Sequence, residues 1–354
     1  MKKCWLTFMA ACLTGVLLAG CSSGSDGAAG DAASKDSAPA AAQQEPADDS
    51  SKDGGKSTDS AGDAKEKRTI GCVIISGTNP HCQIFEEGFR SVVEENGDEA
   101  VVLDADYDPG KLMSCLSDLI AQNVDGIVVE SCDNQAPIQS IKEAADKGIV
   151  VAAADMLLDV KEEENILVSQ TVSDNYDGGY QCGLDFAKRA NGEEKNYLIM
   201  DFETNTAAVE RVQGFQDAIA DQLNLHLLET NQPNPETLEA KLALMDTWIQ
   251  KYDKIDCVFA YHDPAAMACV QALEAAGKLK GTLVYGVDGN IDAIQAISEG
   301  KMTATAKQQP DQLAILSTKN MYRVLNGEAI DGDWLTKVPI IFIDETNAKE
   351  FLDE

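Results

Sequence analysis

Polar residues that can bind a hydroxylated molecule follow almost every apolar, strand-like segment of the chain. Asn79 and His81 come directly after the first such segment, and Asp155 follows a later one. In the second half of the chain, His262 and Asp288 hold the same kind of position. A carboxylate accepts hydrogen bonds from two hydroxyl groups, while amide and imidazole groups both donate and accept. These residue types favour a site that holds a small polar molecule, such as a polyol, by hydrogen bonds.

The same residues leave two other kinds of site open. His81, Cys82, His262 and Asp263 are all potential metal ligands, but their spacing matches no common zinc pattern. A Cys–His pair can act as a nucleophile, yet adjacent residues seldom point at each other, and nothing in the sequence supplies an oxyanion hole. Hydrogen bonding is the favoured hypothesis. We expect no metal, no cofactor and no enzymatic activity.

The elements that position these residues alternate between strand and helix from residue 69 onward. Strands are predicted at 69–76, 100–103, 126–129, 149–153, 196–200, 225–229, 257–260, 283–286 and 302–306. Helices are predicted at 84–95, 109–122, 136–147, 178–190, 206–222, 238–251, 265–276, 291–299 and 311–326. This alternation is typical of right-handed βαβ units and parallel sheets, and its extent predicts two doubly wound α/β lobes. Ligands of such sheets bind beyond the carboxyl ends of the strands, where the polar residues lie.

Charge narrows the choice of partner. The 354-residue chain has 60 acidic and 28 basic residues and a formal net charge of −32. This field repels phosphate, so a nucleic-acid partner is excluded. Beyond the N-terminus no run of about 20 apolar residues occurs, so the body of the chain is not expected to span a membrane.

The N-terminus has the form of a secretion signal. Lys2 and Lys3 precede an apolar run, and the segment ends in the sequence LAGC at Cys21. This ending resembles a bacterial lipobox, in which the cysteine is lipidated and becomes the first residue of the mature protein. We therefore predict a signal peptide at 1–20, lipidation of Cys21, and a tether over 21–67. That segment is rich in Ala, Ser, Gly, Asp and Lys and is predicted to be disordered.

Seven further cysteines lie in the body of the chain. Their number is odd and none has CxxC spacing, so buried free thiols are predicted for most of them, while one disulfide remains open. The seven are Cys72, Cys82, Cys115, Cys132, Cys182, Cys257 and Cys269.

Residues 69–345 resemble the type I periplasmic solute-binding proteins, and within them the ribose- and galactose-binding components of ABC importers. The resemblance rests on TNPHCQIFEEGFR, VVLDADYDPGK, DGIVVES, VSDNYDGG, AVERVQGF, VFAYHDPAAMACVQAL, VYGVDGN and TATAKQQPDQLA. It implies two lobes joined by a three-segment hinge, with crossovers near Ser173, Gln308 and Pro339. The lobes would comprise 69–173 with 309–338, and 174–308 with 339–354.

The resemblance also implies which residues contact the ligand. Carried over by position, they are Asn79, His81, Cys82, Asp155, Arg211, His262, Asp288 and Gln308. Aromatic residues usual at positions 81, 82 and near 234–236 are missing, and Met156 stands where an arginine is common. Ser173–Asn175 is interpreted as a hinge cap, and the Gly178–Gly179 pair as serving backbone freedom alone.

The function implied is that of a lipid-anchored, extracytoplasmic substrate-binding protein of an ABC importer. It would be a monomer that closes on a monosaccharide or polyol and delivers it to a permease and ATPase. The alternative is a sensory protein that presents its solute to a membrane kinase or chemoreceptor, and a non-sugar ligand is also possible.

Overall fold

A computed structural model of the chain describes residues 67–352. The predicted signal peptide at 1–20, Cys21 and all but the last residue of the predicted tether lie outside this range. Among residues 67–352, no helix has the length and apolar character needed to cross a bilayer.

Six parallel strands form the first sheet, in the spatial order second, first, third, fourth, fifth and eleventh along the chain. They are β1 (Thr69–Ile74), β2 (Glu99–Asp104), β3 (Gly126–Glu130), β4 (Val150–Asp155), β5 (Ser169–Ser173) and β11 (Leu335–Val338). β1, β2, β3 and β5 are each followed by a helix, and β4 by a short 3₁₀ turn, as in a doubly wound sheet.

The second sheet repeats this order with six further strands, of which only the last is antiparallel to its neighbour. They are β6 (Lys195–Met200), β7 (Leu225–Asn231), β8 (Cys257–Ala260), β9 (Leu283–Asp288), β10 (Ala304–Lys307) and β12 (Ile341–Asp344). The spatial order is β7-β6-β8-β9-β10-β12. The chain passes between the sheets after β5, after β10 and after β11.

Helices cover both faces of each sheet. They are α1 (Pro80–Glu95), α2 (Pro109–Ala121), α3 (Ile138–Asp146), α4 (Asn175–Ala190), α5 (Thr206–Ala218), α6 (Leu238–Lys251), α7 (Asp263–Ala275), α8 (Ile291–Ser298) and α9 (Pro310–Leu325). Short 3₁₀ turns occur at Glu162–Glu164 and Ala348–Phe351. Each sheet has one apolar cluster on either face, so the predicted pair of α/β lobes is confirmed.

Three strands escape the sequence prediction. β5 has the sequence SQTVS, yet all five residues are buried. The Gln170 side chain makes two hydrogen bonds with the backbone of Leu158, at 2.8 and 3.2 Å, so its amide group is buried with both partners present. β11 and β12 are four-residue edge strands, too short for a pattern to reveal.

The seven cysteines of the described residues are all free, and all but Cys132 are buried. This confirms the prediction of free thiols, and the disulfide left open by the sequence is not formed. Burial raises the pKa of the Cys182 and Cys257 thiols well above the usual value, as expected for inert core residues.

Candidate functional site

Two aspartates close equivalent strands in the two sheets and share an uncommon backbone conformation. Asp155 ends β4 with φ of 70°, and Asp288 ends β9 with φ of 133°. Positive φ is rare outside glycine and costs on the order of 1–3 kcal/mol. Such strain is concentrated at functional sites, so this pair marks the carboxyl ends of β4 and β9 as the candidate site.

A buried guanidinium organises the second-sheet half of the site. Arg211 Nε donates to Asn175 Oδ1 at 2.9 Å, and Nη1 donates to the Tyr261 carbonyl at 2.9 Å and to Asp288 Oδ1 at 3.1 Å. Gln308 Nε2 donates to the same Asp288 oxygen at 2.8 Å. Arg211 and Gln308 are each only 7% exposed. The network therefore presents fixed donors and a fixed carboxylate, with little freedom to lose when a ligand binds.

Close packing of α4 against α5 holds this arginine in place. A Cβ atom on Gly179 of α4 would lie 1.7 Å from the Arg211 carbonyl oxygen, and one on Gly214 of α5 would lie 2.0 Å from the Tyr176 carbonyl oxygen. Neither glycine has positive φ. The interpretation of Gly178–Gly179 as backbone freedom alone is therefore wrong, because Gly179 is required by helix contact.

The first-sheet half of the site has a histidine between two carboxylates. His81 Nε2 lies 3.4 Å from Asp155 Oδ1 and 3.9 Å from Glu130 Oε1. Burial alone would lower the pKa of His81, but Asp155 and Glu130 raise it to about 9. Burial and the charge of Asp155 raise the pKa of Glu130 to about 7, against the opposing effect of His81. Without a ligand the imidazolium form of His81 therefore balances negative charge.

Asn79 and Cys82 support the histidine from the start of α1. Asn79 caps this helix through its Oδ1, which accepts from the His81 backbone N–H at 2.9 Å, and its Nδ2 donates to the Tyr107 hydroxyl at 2.6 Å. Cys82 is buried in an apolar cluster of the first lobe, and burial, followed by the charge of Glu130, raises the pKa of its thiol above the usual range. Cys82 is thus a neutral neighbour of the site.

His262 occupies the other side of the second-sheet half. Its Nδ1 accepts from the Ala265 backbone N–H at 3.2 Å and caps α7. Burial, Lys241 and Arg211 hold its pKa well below the usual value, so the ring is neutral with its proton on Nε2. That nitrogen lies 3.6 Å from Glu236 Oε1. Glu236 also accepts from Tyr261 and pairs with the buried Lys241. A charged network fills the region where an aromatic residue is usual.

Asp263 has a structural role beside the site. Fully buried, it accepts from the backbone N–H groups of Gly289 and Asn290, both at 2.8 Å, and from the Thr305 hydroxyl at 2.7 Å. It therefore fixes the turn that follows Asp288.

We expect Asp263→Ala to lower the free energy of unfolding by about 2–3 kcal/mol, because the Asn290 N–H and the Thr305 hydroxyl lose this acceptor and Gly289 N–H keeps only Thr305 Oγ1 at 3.2 Å. Chemical denaturation measured by circular dichroism checks this. An unchanged midpoint would contradict the structural role.

The two halves of the site act on each other electrostatically. Burial alone would raise the pKa of Asp155. His81 in the first lobe and Arg211 in the second outweigh this effect, and the pKa is lowered. Burial raises the pKa of Asp288. Arg211 opposes this effect, as does His81 of the first lobe, while Asp155 of the first lobe adds to it. Charged groups at the carboxyl ends of the two sheets are therefore close enough to act on one another, as expected if both ends face one gap between the lobes.

The structure brings the sequence-predicted residues to these two halves. Asn79, His81, Cys82 and Asp155 lie in the first, and Arg211, His262, Asp288 and Gln308 in the second. Their contact with a ligand remains a prediction. The metal hypothesis combining His81 and Cys82 with His262 and Asp263 divides its residues between the two halves, and Asp263 is committed to the turn at Gly289.

Four residues of the network were not predicted as site residues: Glu130, Asn175, Glu236 and Lys241. Glu130 ends β3 as Asp155 ends β4 and Asp288 ends β9, and that shared position was an available signal. Asp174 does cap α4, as interpreted, by accepting from Asp177 N–H, but the next residue, Asn175, binds Arg211.

Comparison with known proteins now identifies the family. A family model described as a periplasmic binding protein domain matches residues 70–329. The chain belongs to this family. The resemblance inferred from the sequence segments is thereby confirmed, and the repeated strand order is the fold that this periplasmic binding protein shares with its relatives.

Curated relatives and solved structures agree on the architecture. The chain is 28% identical over 278 residues to the ribose import binding protein of Escherichia coli (strain K12), covering 78% of this chain and 92% of that relative. It is 29% identical over 248 residues to the D-apiose import binding protein of Paraburkholderia graminis, covering 70% and 78%. The crystal structure of a periplasmic ribose ABC transporter protein from Conexibacter woesei superposes with a TM-score of 0.74 at 18% identity, covering 81% of this chain and 95% of that chain.

Proposed function

We propose that this periplasmic binding protein is the substrate-binding component of an ABC importer for a monosaccharide or polyol. The observation that carries the proposal is the pair of polar half-sites at the carboxyl ends of β4 and β9. Asp155 and Asp288 would accept hydrogen bonds from hydroxyl groups of the ligand, one from each lobe, and Arg211 would supply a planar set of donors.

Closure of the two lobes would couple binding to transport. Each half-site alone offers few contacts, whereas a ligand between them contacts both and raises the population of the closed form. The permease would recognise that form. Three chain connections between the lobes are compatible with a hinge of this kind.

The ligand class is supported by two features. The relatives described above are named as ribose and D-apiose import binding proteins, so small sugars are the first candidates. The site is lined by charged and amide groups, and burying these without partners is costly, so an apolar solute is disfavoured. We expect no chemical turnover of the ligand.

Anchoring belongs to the same proposal. Cys21 would carry the lipid, and residues 21–67 would tether the two lobes to the outer face of the cell membrane. The ABC permease and ATPase would be the partners, with the protein acting as a monomer.

Binding to a panel of D-ribose, D-apiose, D-allose and myo-inositol tests the function. We expect at least one compound to bind with a stoichiometry of one by isothermal titration calorimetry. At about 100 times its Kd, such a ligand adds about 2.7 kcal/mol of stability and raises Tm by several degrees.

The test variant is Asp155→Ala, which removes an acceptor from one half-site and should bind the same compound at least about tenfold more weakly. Asp133→Ala is the matched control. Asp133 lies in the loop after β3, and its side chain accepts hydrogen bonds from the backbone N–H groups of Gln135 and Ala136 in the same loop. The affinity of this variant should be unchanged. No binding of any sugar, polyol or nucleoside would contradict the proposal.

A further inference from the structure

One polar cluster contains three side chains that can each bind a metal ion. His81 Nε2, Glu130 Oε1 and Asp155 Oδ1 all lie within 4.8 Å of one another. They come from the start of α1 and from the ends of β3 and β4, so three separate elements converge on one point. No sequence spacing could reveal such a set, because the three residues are far apart in the chain.

A second observation points to a missing partner at the centre of this cluster. Glu130 is fully buried, and its Oε1 has no hydrogen-bond partner of normal geometry among residues 67–352. Its other oxygen, Oε2, accepts from the Ile75 backbone N–H at 2.9 Å. His81 Nε2 is likewise buried without such a partner. The Cys82 thiol also interacts with the Glu130 carboxylate, but a thiol is only a weak donor.

We propose that His81, Glu130 and Asp155 form a binding site for a divalent first-row metal ion, for which Zn²⁺ is the probe. Zinc bonds to nitrogen and oxygen are about 2.0–2.2 Å long, which places neighbouring ligands of a tetrahedral ion about 3.4 Å apart. The observed separations from His81 Nε2 are 3.4 Å to Asp155 and 3.9 Å to Glu130. All three atoms lie within 4.8 Å of one another, so a tetrahedral ion needs the two carboxylates to draw toward the imidazole.

The donor set also selects the kind of cation. One imidazole and two carboxylates suit zinc, iron(II) or manganese(II), whereas Ca²⁺ takes six to eight oxygen ligands, which this cluster does not supply. In the metal-free form His81 is an imidazolium between two carboxylates. A metal ion binds only the neutral imidazole, so its binding would displace that proton. The His81 and Asp155 side chains keep 18% and 22% of their surface exposed, so water or a hydroxyl group of the solute would complete the coordination.

Titration of the metal-stripped full chain with Zn²⁺ alone tests this site, without any sugar present. We expect one equivalent to bind with micromolar affinity or better and to raise Tm by several degrees. Glu130→Gln keeps the shape of the side chain and should weaken binding by at least about 100-fold, and His81→Asn should do the same. The control is His226→Asn, which removes an exposed histidine that contacts Glu194 and should leave the tight equivalent intact.

Cobalt(II) gives a second readout. Its visible absorption bands should appear on binding to the full chain and disappear in His81→Asn, with circular dichroism showing that each variant is folded. Absence of tight Zn²⁺ binding to the wild-type chain would overturn the proposal in favour of the imidazolium form. Tight binding that persists unchanged in Glu130→Gln would overturn it too, as adventitious binding to an acidic surface. These titrations contain no sugar, and sugar binding is measured separately by calorimetry, so failure of this proposal and failure of the proposed function are distinguishable.

Discussion

Replacing Arg211 by methionine is expected to weaken ligand binding by at least about 100-fold and to destabilise the protein. The guanidinium is the donor that fixes Asp288, and its positive charge also acts on Asp155 of the first lobe. Hydrogen bonds to charged groups contribute about 1.5–3 kcal/mol each. The loss of two such bonds between Arg211 and the ligand accounts for the expected change in affinity. The variant also leaves the Asp288 carboxylate largely buried without its cation, at a cost of about 3 kcal/mol. Calorimetric titration and urea denaturation measure the two effects.

The matched control is Arg189→Met, in the last turn of α4, whose first residue, Asn175, accepts a hydrogen bond from Arg211. Arg189 pairs with Asp185 at 2.5 Å and with Glu345 at 2.6 Å, so its loss lowers stability, but it lies away from the gap. Affinity should be unchanged in this variant. Adding Asp288→Ala to Arg211→Met should recover part of the lost stability, because the uncompensated charge is then removed. Unchanged affinity in Arg211→Met would refute the second half-site.

Gly179→Ala is expected to lower the stability of the protein strongly. The new methyl group would lie 1.7 Å from the Arg211 carbonyl oxygen, and that atom belongs to the backbone of α5, which cannot move aside as a side chain can. The helices must separate, at a cost of about 3 kcal/mol, which is at the upper end of usual overpacking penalties. Because the displaced residue is Arg211 itself, ligand affinity should fall as well. Thermal unfolding and sugar titration of the same sample measure both.

The adjacent glycine provides the control. A methyl group on Gly178 would meet Ala306 at 3.5 Å and Ile340 and Val287 at 3.7 Å, which are ordinary contacts. Gly178→Ala should therefore be neutral or stabilising by up to about 1 kcal/mol, since alanine favours the helix. Equal losses of stability in the two variants would contradict the close-packing argument.

Hydrophobic patterning predicts most of this fold because parallel strands buried on both faces are apolar along their whole length. Segments such as the one at 257–260 therefore stand out, and the structure has β8 there. β5 is missed for the opposite reason, since it is buried but polar and depends on the partner of Gln170. The start of α1 is predicted four residues late, because its first turn is polar and faces the gap.

The candidate site is predicted only in part from the sequence. Residues after strands can be found by pattern, which is how Asp155 and Asp288 were identified. Arg211 and Gln308 required the family resemblance, because a helix arginine usually faces solvent. Asn175 and Glu236 are visible only in three dimensions, since their roles come from contacts with Arg211 and His262.

A crystal structure of the chain with the tightest-binding sugar of the panel tests the central claim most directly. The account predicts one sugar molecule between the lobes, with hydroxyl groups within hydrogen-bond distance of Asp155 on one side and of Arg211 and Asp288 on the other. A sugar bound elsewhere, or held by one lobe alone with the opposite carboxylate turned away, would contradict it.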